Sequence, residues 1–258
     1  MGIRYRCPTL VLLSMKYCIL VFAVFLFGCD SENASDCFQP AGDPITKEFF
    51  VGNFQSIDVS QGIDLIIKQG DVTKVEVQTG SNLIDEISVW VENGELFLRN
   101  SNGCNWVRDY NDTKIYVTTP QLVKVYSSSQ FSVISDGVLS FPNLTLQSAM
   151  FSKTASGTFD IEVAAEVLTV QDNASSFFRL RGTTGDLTVA FYDGNARFDG
   201  SDLTAQTAHV FQRSSNDMII KAMESIDGTI YSTGNVVLKN TPNTILVTQL
   251  YTGHLVYP

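Results

Sequence analysis

The sequence has few of the residues on which metal proteins and many enzymes depend. Only two histidines occur in 258 residues, His209 and His254, and they lie far apart in the chain. No cysteine and histidine cluster has metal-site spacing, and no G-x-S-x-G nucleophile elbow is present. We therefore expect no metal, no cofactor and no catalytic residue of these kinds. A Ser-His-Asp triad built from distant segments stays open, because triads are recognised by geometry and not by sequence order.

Positive charge is also scarce. The chain has 17 Lys and Arg against 27 Asp and Glu, a formal net charge of −10. An acidic surface repels phosphate backbones and anionic headgroups, so nucleic acid is excluded as an expected partner.

Long apolar runs are absent after residue 28, but one precedes it. Arg4, Arg6 and Lys16 flank an apolar stretch from Tyr17 to Phe27, which is too short for a comfortable membrane span and suits a signal peptide. The stretch ends in Leu-Phe-Gly before Cys29, which resembles the lipobox of bacterial lipoproteins. We interpret residues 1–28 as the signal peptide, starting at Met1 or Met15, and Cys29 as the acylated (palmitate-type) anchor.

The anchor predicts the location of the mature chain. Residues 29–45 are polar and rich in turn formers, as expected of a tether. Removing residues 1–28 removes three positive charges, so the mature net charge is about −13. The chain is then an outer-membrane lipoprotein, either surface-exposed or facing the periplasm. Acidic residues after the anchor, including Asp30 and Glu32, favour surface display.

Cysteine is limited to two residues beyond the anchor, Cys37 and Cys104. In an oxidising envelope they are candidates for a single disulfide.

Residues 46–118 read as an N-terminal β section. Short segments rich in branched and aromatic residues alternate there with Gly, Asn and Asp. Asn93-Gly94 between two such segments predicts a hairpin, because both positions of that turn need positive φ.

Residues 119–258 repeat. An apolar-x-apolar pair followed by a small polar turn recurs, and its second members are Val125, Leu146, Val170, Val189, Val210, Ile230 and Val247. A period of about twenty residues, with a further apolar strand after most turns, predicts an all-β solenoid of seven stacked rungs. A β-sandwich is the alternative, although sandwiches do not keep so regular a period.

Two groups of residues are candidates for chemistry or binding. Asp160 and Glu162 alternate with apolar residues, so both face solvent on one strand, with no basic or aromatic neighbours in the sequence. The loop carrying Trp106, Arg108 and Tyr110 offers aromatic and guanidinium groups to a ligand. Seven phenylalanines are interpreted as core ladders: Phe131, Phe151, Phe177, Phe178, Phe191, Phe198 and Phe211.

The chain resembles the autotransporter-adhesin head, or GIN, domain lipoproteins of Bacteroides-type bacteria over about residues 46–258. The resemblance rests on Phe54-Gln-Ser-Ile-Asp-Val59, Gly62 to Asp71, Ser81 to Ile84, Asn93 to Leu98, Ile115 to Leu122 and repeat turns such as Tyr192-Asp-Gly-Asn195. It implies a right-handed β-solenoid, no established catalytic residues and a role in adhesion at the cell surface.

These observations predict a non-enzymatic adhesion or binding module. Its expected partners are the membrane, through the lipid, and a glycan or protein ligand; a homo-oligomer is compatible with the sequence. The alternative is a glycan-active enzyme of lyase or glycosidase type on a β-helical scaffold.

Overall fold

The fold is a stack of short β-strands wound around one apolar core. The computed structural model describes residues 39–103, 113–150 and 155–258. The strands in chain order are β1 (Pro44–Phe49), β2 (Ser56–Val59), β3 (Asp64–Gln69), β4 (Lys74–Gly80), β5 (Ile87–Glu92), β6 (Glu95–Asn100), β7 (Lys114–Thr119), β8 (Lys124–Ser127), β9 (Val133–Leu139), β10 (Asn143–Ser148), β11 (Thr158–Asp172), β12 (Phe177–Phe191), β13 (Arg197–Gln212), β14 (Met218–Ile220), β15 (Ala222–Ile230), β16 (Val236–Leu238), β17 (Thr244–Gln249) and β18 (Leu255–Val256). The one helical element among these residues is a 3-10 turn at Ile84–Glu86.

Parallel pairing between successive rungs produces two long sheets. In the first sheet the order is β6, β2, β8, β10, then the second halves of β11, β12 and β13, then β15 and β17. In the second sheet it is β7, β3, β9, then the first halves of β11, β12 and β13, then β14, β16 and β18. The stack makes about six turns. The predicted all-β solenoid is confirmed.

The N-terminal section is continuous with this stack and closes one end of it. Strands β2 and β3 pair with β8 and β9, whereas β6 and β7 form the rung below. Antiparallel strands follow, with β5 on β6, β4 on β7 and β1 on β4. The β5–β6 hairpin turns at Asn93 (φ 51°) and Gly94 (φ 78°), as predicted.

The core consists of columns of inward side chains, one from each rung. Leu146, Val170, Val189 and Val210 are paired in register and almost fully buried. A second column contains Val133, Phe159, Phe178, Phe198, Met218 and Val236. Since one rung cannot bury its own apolar side, stacking is what stabilises each of them.

The phenylalanine prediction is correct in part. Phe178, Phe191 and Phe198 are buried, but Phe131, Phe177 and Phe211 are half-buried. Phe177 and Phe211 lie at outward positions of their strands, so the expectation that they form core ladders is wrong. Phe151 lies outside the described residues.

The predicted register of the sixth repeat is wrong by two residues. Ile226 pairs with Ala208, and Gly228 pairs with Val210, where the repeat had matched Ile230 to Val210. A shift of two keeps the same side chains inward, so alternation alone did not distinguish the registers. Gly228 has φ +129° and lies against the Val210 carbonyl, which only glycine allows.

The first repeat also departs from its pattern. Val123 precedes β8 and is 44% exposed, whereas Leu122 is buried. Among the described residues, none forms a helix long and apolar enough to cross a membrane.

Candidate functional site: a lateral face of the solenoid

Several candidate residues lie outside the described part of the chain. These are the proposed anchor Cys29, the cysteines Cys37 and Cys104, and the loop residues Trp106, Arg108 and Tyr110. They stay predictions.

Asp160 and Glu162 lie on the outward side of β11, as their alternation with buried Phe159, Ile161 and Val163 predicts. The next rung places Arg179 opposite Asp160 and Arg181 opposite Glu162.

These neighbours form an ion-pair network. Arg181 donates to Asp160, while Arg179 Nη1 lies 3.6 Å from Asp160 Oδ2 and Arg181 Nε lies 3.8 Å from Glu162 Oε2. The guanidinium groups of Arg179 and Arg197 lie over the Phe177 ring, 5.2 and 5.3 Å from its centroid. The basic and aromatic groups that were not expected from the neighbouring sequence are therefore supplied by the next rungs of the folded chain. The carboxylates are engaged with arginine, unlike an acid and base flanking an open groove.

His209 faces outward, as predicted, and is paired across rungs. Its Nδ1 lies 2.9 Å from Asp227 Oδ1, and both side chains are more than half exposed. Thr188 occupies the adjacent rung on the other side. A catalytic triad needs an acid that is buried and fixes the imidazole. A contact this exposed to water does not meet that need.

The first sheet presents a lateral face that is rich in uncharged polar and aromatic side chains. We define the lateral face by the outward residues Thr145, Gln147, Thr169, Gln171, Thr188, Tyr192, Phe211, Thr229 and Tyr231. It arises because each rung alternates inward apolar with outward polar or aromatic residues, as in Leu-Thr-Val-Gln.

Contacts along the solenoid axis order this face. Gln147 Nε2 donates to Gln171 Oε1 at 2.6 Å, and Gln171 Nε2 donates to the Tyr192 hydroxyl at 3.2 Å. The Phe211 ring lies 5.4 Å from that of Tyr192 and 4.6 Å from that of Tyr231, centroid to centroid. The side chains are thus held in place by their neighbours rather than free to rotate.

The same outward column continues toward the N-terminal end of the stack. There Trp90 stacks on Phe97 at 5.1 Å, and the Arg99 guanidinium lies over both rings. Arg99 also binds Asp58 at 3.0 Å. Aromatic groups therefore lie on this side at both ends of the column.

Chemically, the lateral face offers binding groups in a straight row. Hydroxyls, amides and rings recur on neighbouring rungs, about 4.8 Å apart, and the threonine column ends at Lys124 on one side and at the His209 and Asp227 pair on the other. Ordered aromatic and amide groups suit a ligand that extends along the solenoid axis, because they offer it both apolar contact and hydrogen bonds.

Sequence reasoning did not identify this face. Its signal in the sequence is the Thr within Leu144-Thr-Leu146, Leu168-Thr-Val170 and Leu187-Thr-Val189, but the apolar repeat is defined by the residues on either side of it. Gln147, Gln171 and Phe211 occupy one column only once the rungs are aligned.

In the described part of the chain, no group of three or more His, Cys, Asp or Glu is placed to hold a metal ion.

A known family matches most of the chain. Residues 53–242 match the family described as "Putative auto-transporter adhesin, head GIN domain". No curated protein matches the sequence.

Solved structures share the fold. A protein from Bacteroides fragilis described as a putative adhesin superposes with a TM-score of 0.76 at 21% identity, covering 85% of this chain and 99% of that one. A "putative lipid binding protein" from Parabacteroides distasonis gives a TM-score of 0.64 at 16% identity, with 85% and 98% covered. A putative adhesin from Parabacteroides merdae gives 0.56 at 15% identity, again with 85% and 98% covered.

Proposed function

Because the chain belongs to the autotransporter-adhesin head GIN-domain family, we propose that it is a non-enzymatic adhesion protein of the cell envelope, anchored through Cys29. In this proposal the acyl groups on Cys29 hold the chain at the outer membrane, and the solenoid displays its lateral face to ligands. The family supports the adhesive role, and the signal sequence supports the anchor.

The observation that carries the proposal is the lateral face. In a chain of net charge −10 the middle of this surface consists of hydroxyls, amides and rings, with Lys124, His209 and Asp227 only at the ends of its threonine column. Such a surface binds without the electrostatic repulsion that the rest of the chain would impose on an acidic ligand. We propose a polysaccharide as the ligand, because its successive hydroxyls and apolar ring faces match groups repeated at one-rung intervals.

The test is binding of the lipidated full chain to envelope and host polysaccharides. The wild type is expected to bind at least one of them saturably, and Tyr231→Ala or Gln171→Ala to weaken that binding at least fivefold. Tyr116→Ala is the matched control, since Tyr116 is 38% exposed on the second sheet and Tyr231 is 40% exposed on the first. Equal losses for Tyr116→Ala and Tyr231→Ala would contradict a site on the lateral face.

The alternative enzyme hypothesis has one specific observation behind it, the Asp160 and Glu162 pair. An enzyme would release reducing ends or unsaturated products, and Asp160→Asn or Glu162→Gln would reduce turnover by orders of magnitude while ligand binding persists. The adhesion proposal predicts that both variants bind like the wild type and that no product forms.

A further inference from the structure

The rung formed by β17 and β18 lies at the opposite end of the stack from β1. Among the described strands, β17 pairs only with β15, and β18 pairs only with β16. The outer edges of both strands therefore present backbone N–H and C=O groups that form no hydrogen bonds with any described strand. Edges of this kind readily pair with another chain.

This end of the solenoid also exposes apolar side chains. Leu246, Leu250, Tyr251 and Tyr257 are 69%, 61%, 64% and 55% exposed. Ile245, Val247 and Leu255 are only partly buried, although their counterparts in inner rungs are covered. We call these seven residues the terminal surface. A concentrated apolar patch of this kind marks an interaction site in a soluble domain.

Charge distinguishes the terminal surface from the rest of the molecule. Residues 240–258 contain no Asp, Glu, Lys or Arg. Exposed sheet edges are usually protected by charged side chains, and this one is not. Two copies of a chain with net charge −10 repel each other over most of their surfaces, but not where charge is absent.

We propose that the terminal surface docks against the same surface of a second copy of this chain. Antiparallel pairing of the two β17 strands across a two-fold axis would give the open β17 edge of each copy its missing hydrogen-bond partners, because such an interface is self-complementary. The sequence Thr-Ile-Leu-Val-Thr-Gln has no proline or charge to prevent it. The partly exposed ends of the two cores would then cover each other.

The terminal surface lies at the end of the solenoid away from β1, which determines how two joined copies would be oriented. The second sheet extends through β4, β7, β3, β9, β11, β12, β13, β14, β16 and β18, so β1 beside β4 lies roughly 48 Å from β18 at about 4.8 Å per strand. Two copies joined at their terminal surfaces have their β1 ends at opposite extremes. With anchoring at Cys29, on which this part of the inference rests, the pair joins two opposed membranes.

The experiment uses the lipidated full chain reconstituted into vesicles of phosphatidylethanolamine and phosphatidylglycerol, with no polysaccharide present. Two vesicle populations carrying different fluorophores are mixed, and their co-clustering is measured. Wild-type protein on both populations is expected to cluster them, whereas protein on one population alone is not. Many weak pairs on each vesicle act together, so a weak individual contact is enough.

The variant Leu246→Asp places a charge in the middle of β17, on its outward side next to Asp227, and is expected to reduce clustering at least tenfold. Val72→Asp is the matched control, because Val72 is 73% exposed and lies beside β3 and β4, near the other end. Its clustering should equal that of the wild type. Sedimentation of the same proteins in detergent is expected to show a dimer for the wild type and Val72→Asp, and a monomer for Leu246→Asp.

Failure of this inference is distinguishable from failure of the proposed function. Wild-type vesicles that stay separate, or clustering that Leu246→Asp leaves intact, would overturn the contact between copies, whatever polysaccharide binding shows. A dimer in detergent without vesicle clustering would overturn the bridging of membranes. Clustering that persists while Tyr231→Ala binds polysaccharide normally would overturn only the lateral-face site.

Discussion

Replacing Gly228 by alanine tests the observed register against the register expected from the repeat. By the repeat pattern, Gly228 pairs with Ala208 in the column of Leu144, Leu168 and Leu187, so a larger side chain should improve the core. The structure indicates the opposite. At φ +129° a non-glycine residue costs about 1–3 kcal/mol in backbone strain. The new Cβ would also lie far inside van der Waals contact with the Val210 carbonyl oxygen.

We therefore expect Gly228→Ala to destabilise the chain by about 3 kcal/mol or more, which corresponds to roughly 6–12 °C in melting temperature. Urea or thermal unfolding followed by circular dichroism measures the change.

Gly137 and Gly52 provide graded controls. Gly137 has φ +87° with open space around it, so Gly137→Ala should cost about 1–2 kcal/mol. Gly52 has neither feature, so Gly52→Ala should change stability by less than about 0.5 kcal/mol. A Gly228→Ala variant as stable as the wild type would refute the observed register of β15.

Three further predictions concern the core, a buried acid and the anchor. Val189→Asp should cost several kcal/mol because Val189 is fully buried, whereas Thr188→Asp, one residue away and outward, should cost little; equal losses in melting temperature would contradict the alternation. Burial raises the pKa of Asp172 to about 6, while hydrogen bonds from Ala174 and neighbouring serines oppose the rise. The protonated Asp172 therefore stabilises the fold below about pH 4, and this contribution of roughly 3 kcal/mol to the free energy of unfolding should be lost as the pH rises through 6. If an Asp172→Asn variant keeps the same pH dependence, another group is responsible for it. Cys29→Ser should leave an unprocessed or soluble chain, and continued partitioning of this variant into detergent would exclude the anchor.

The fold followed from the sequence where alternation and period agreed. Leu146, Val170, Val189 and Val210 were identified as one column because their spacing recurs and each is followed by a polar turn. At Gly228 the same rule failed, since β15 offers inward positions at Ile226, Gly228 and Ile230 and the pattern does not choose among them. The choice depends on a close backbone approach at Gly228, which is a three-dimensional constraint.

The candidate sites were less predictable because they combine neighbouring rungs. The Asp160 and Glu162 pair looked isolated along the chain, yet Arg179 and Arg181 lie beside it one rung later, about 19 residues away. Phe177 and Phe211 looked like core residues because phenylalanine is usually buried. Their strand positions turn them outward, toward arginine in one case and toward Tyr192 and Tyr231 in the other.

The central claim, an adhesion protein displayed on the cell surface, is tested most directly by protease accessibility on intact cells. An outward-facing chain is expected to be cut within residues 29–45, which releases the solenoid into the medium, where it is detected by immunoblotting. A periplasmic protein serves as the control for membrane integrity and should stay uncut. Full protection of the chain on intact cells, with cleavage only after the outer membrane is permeabilised, would show that it faces the periplasm and would contradict adhesion.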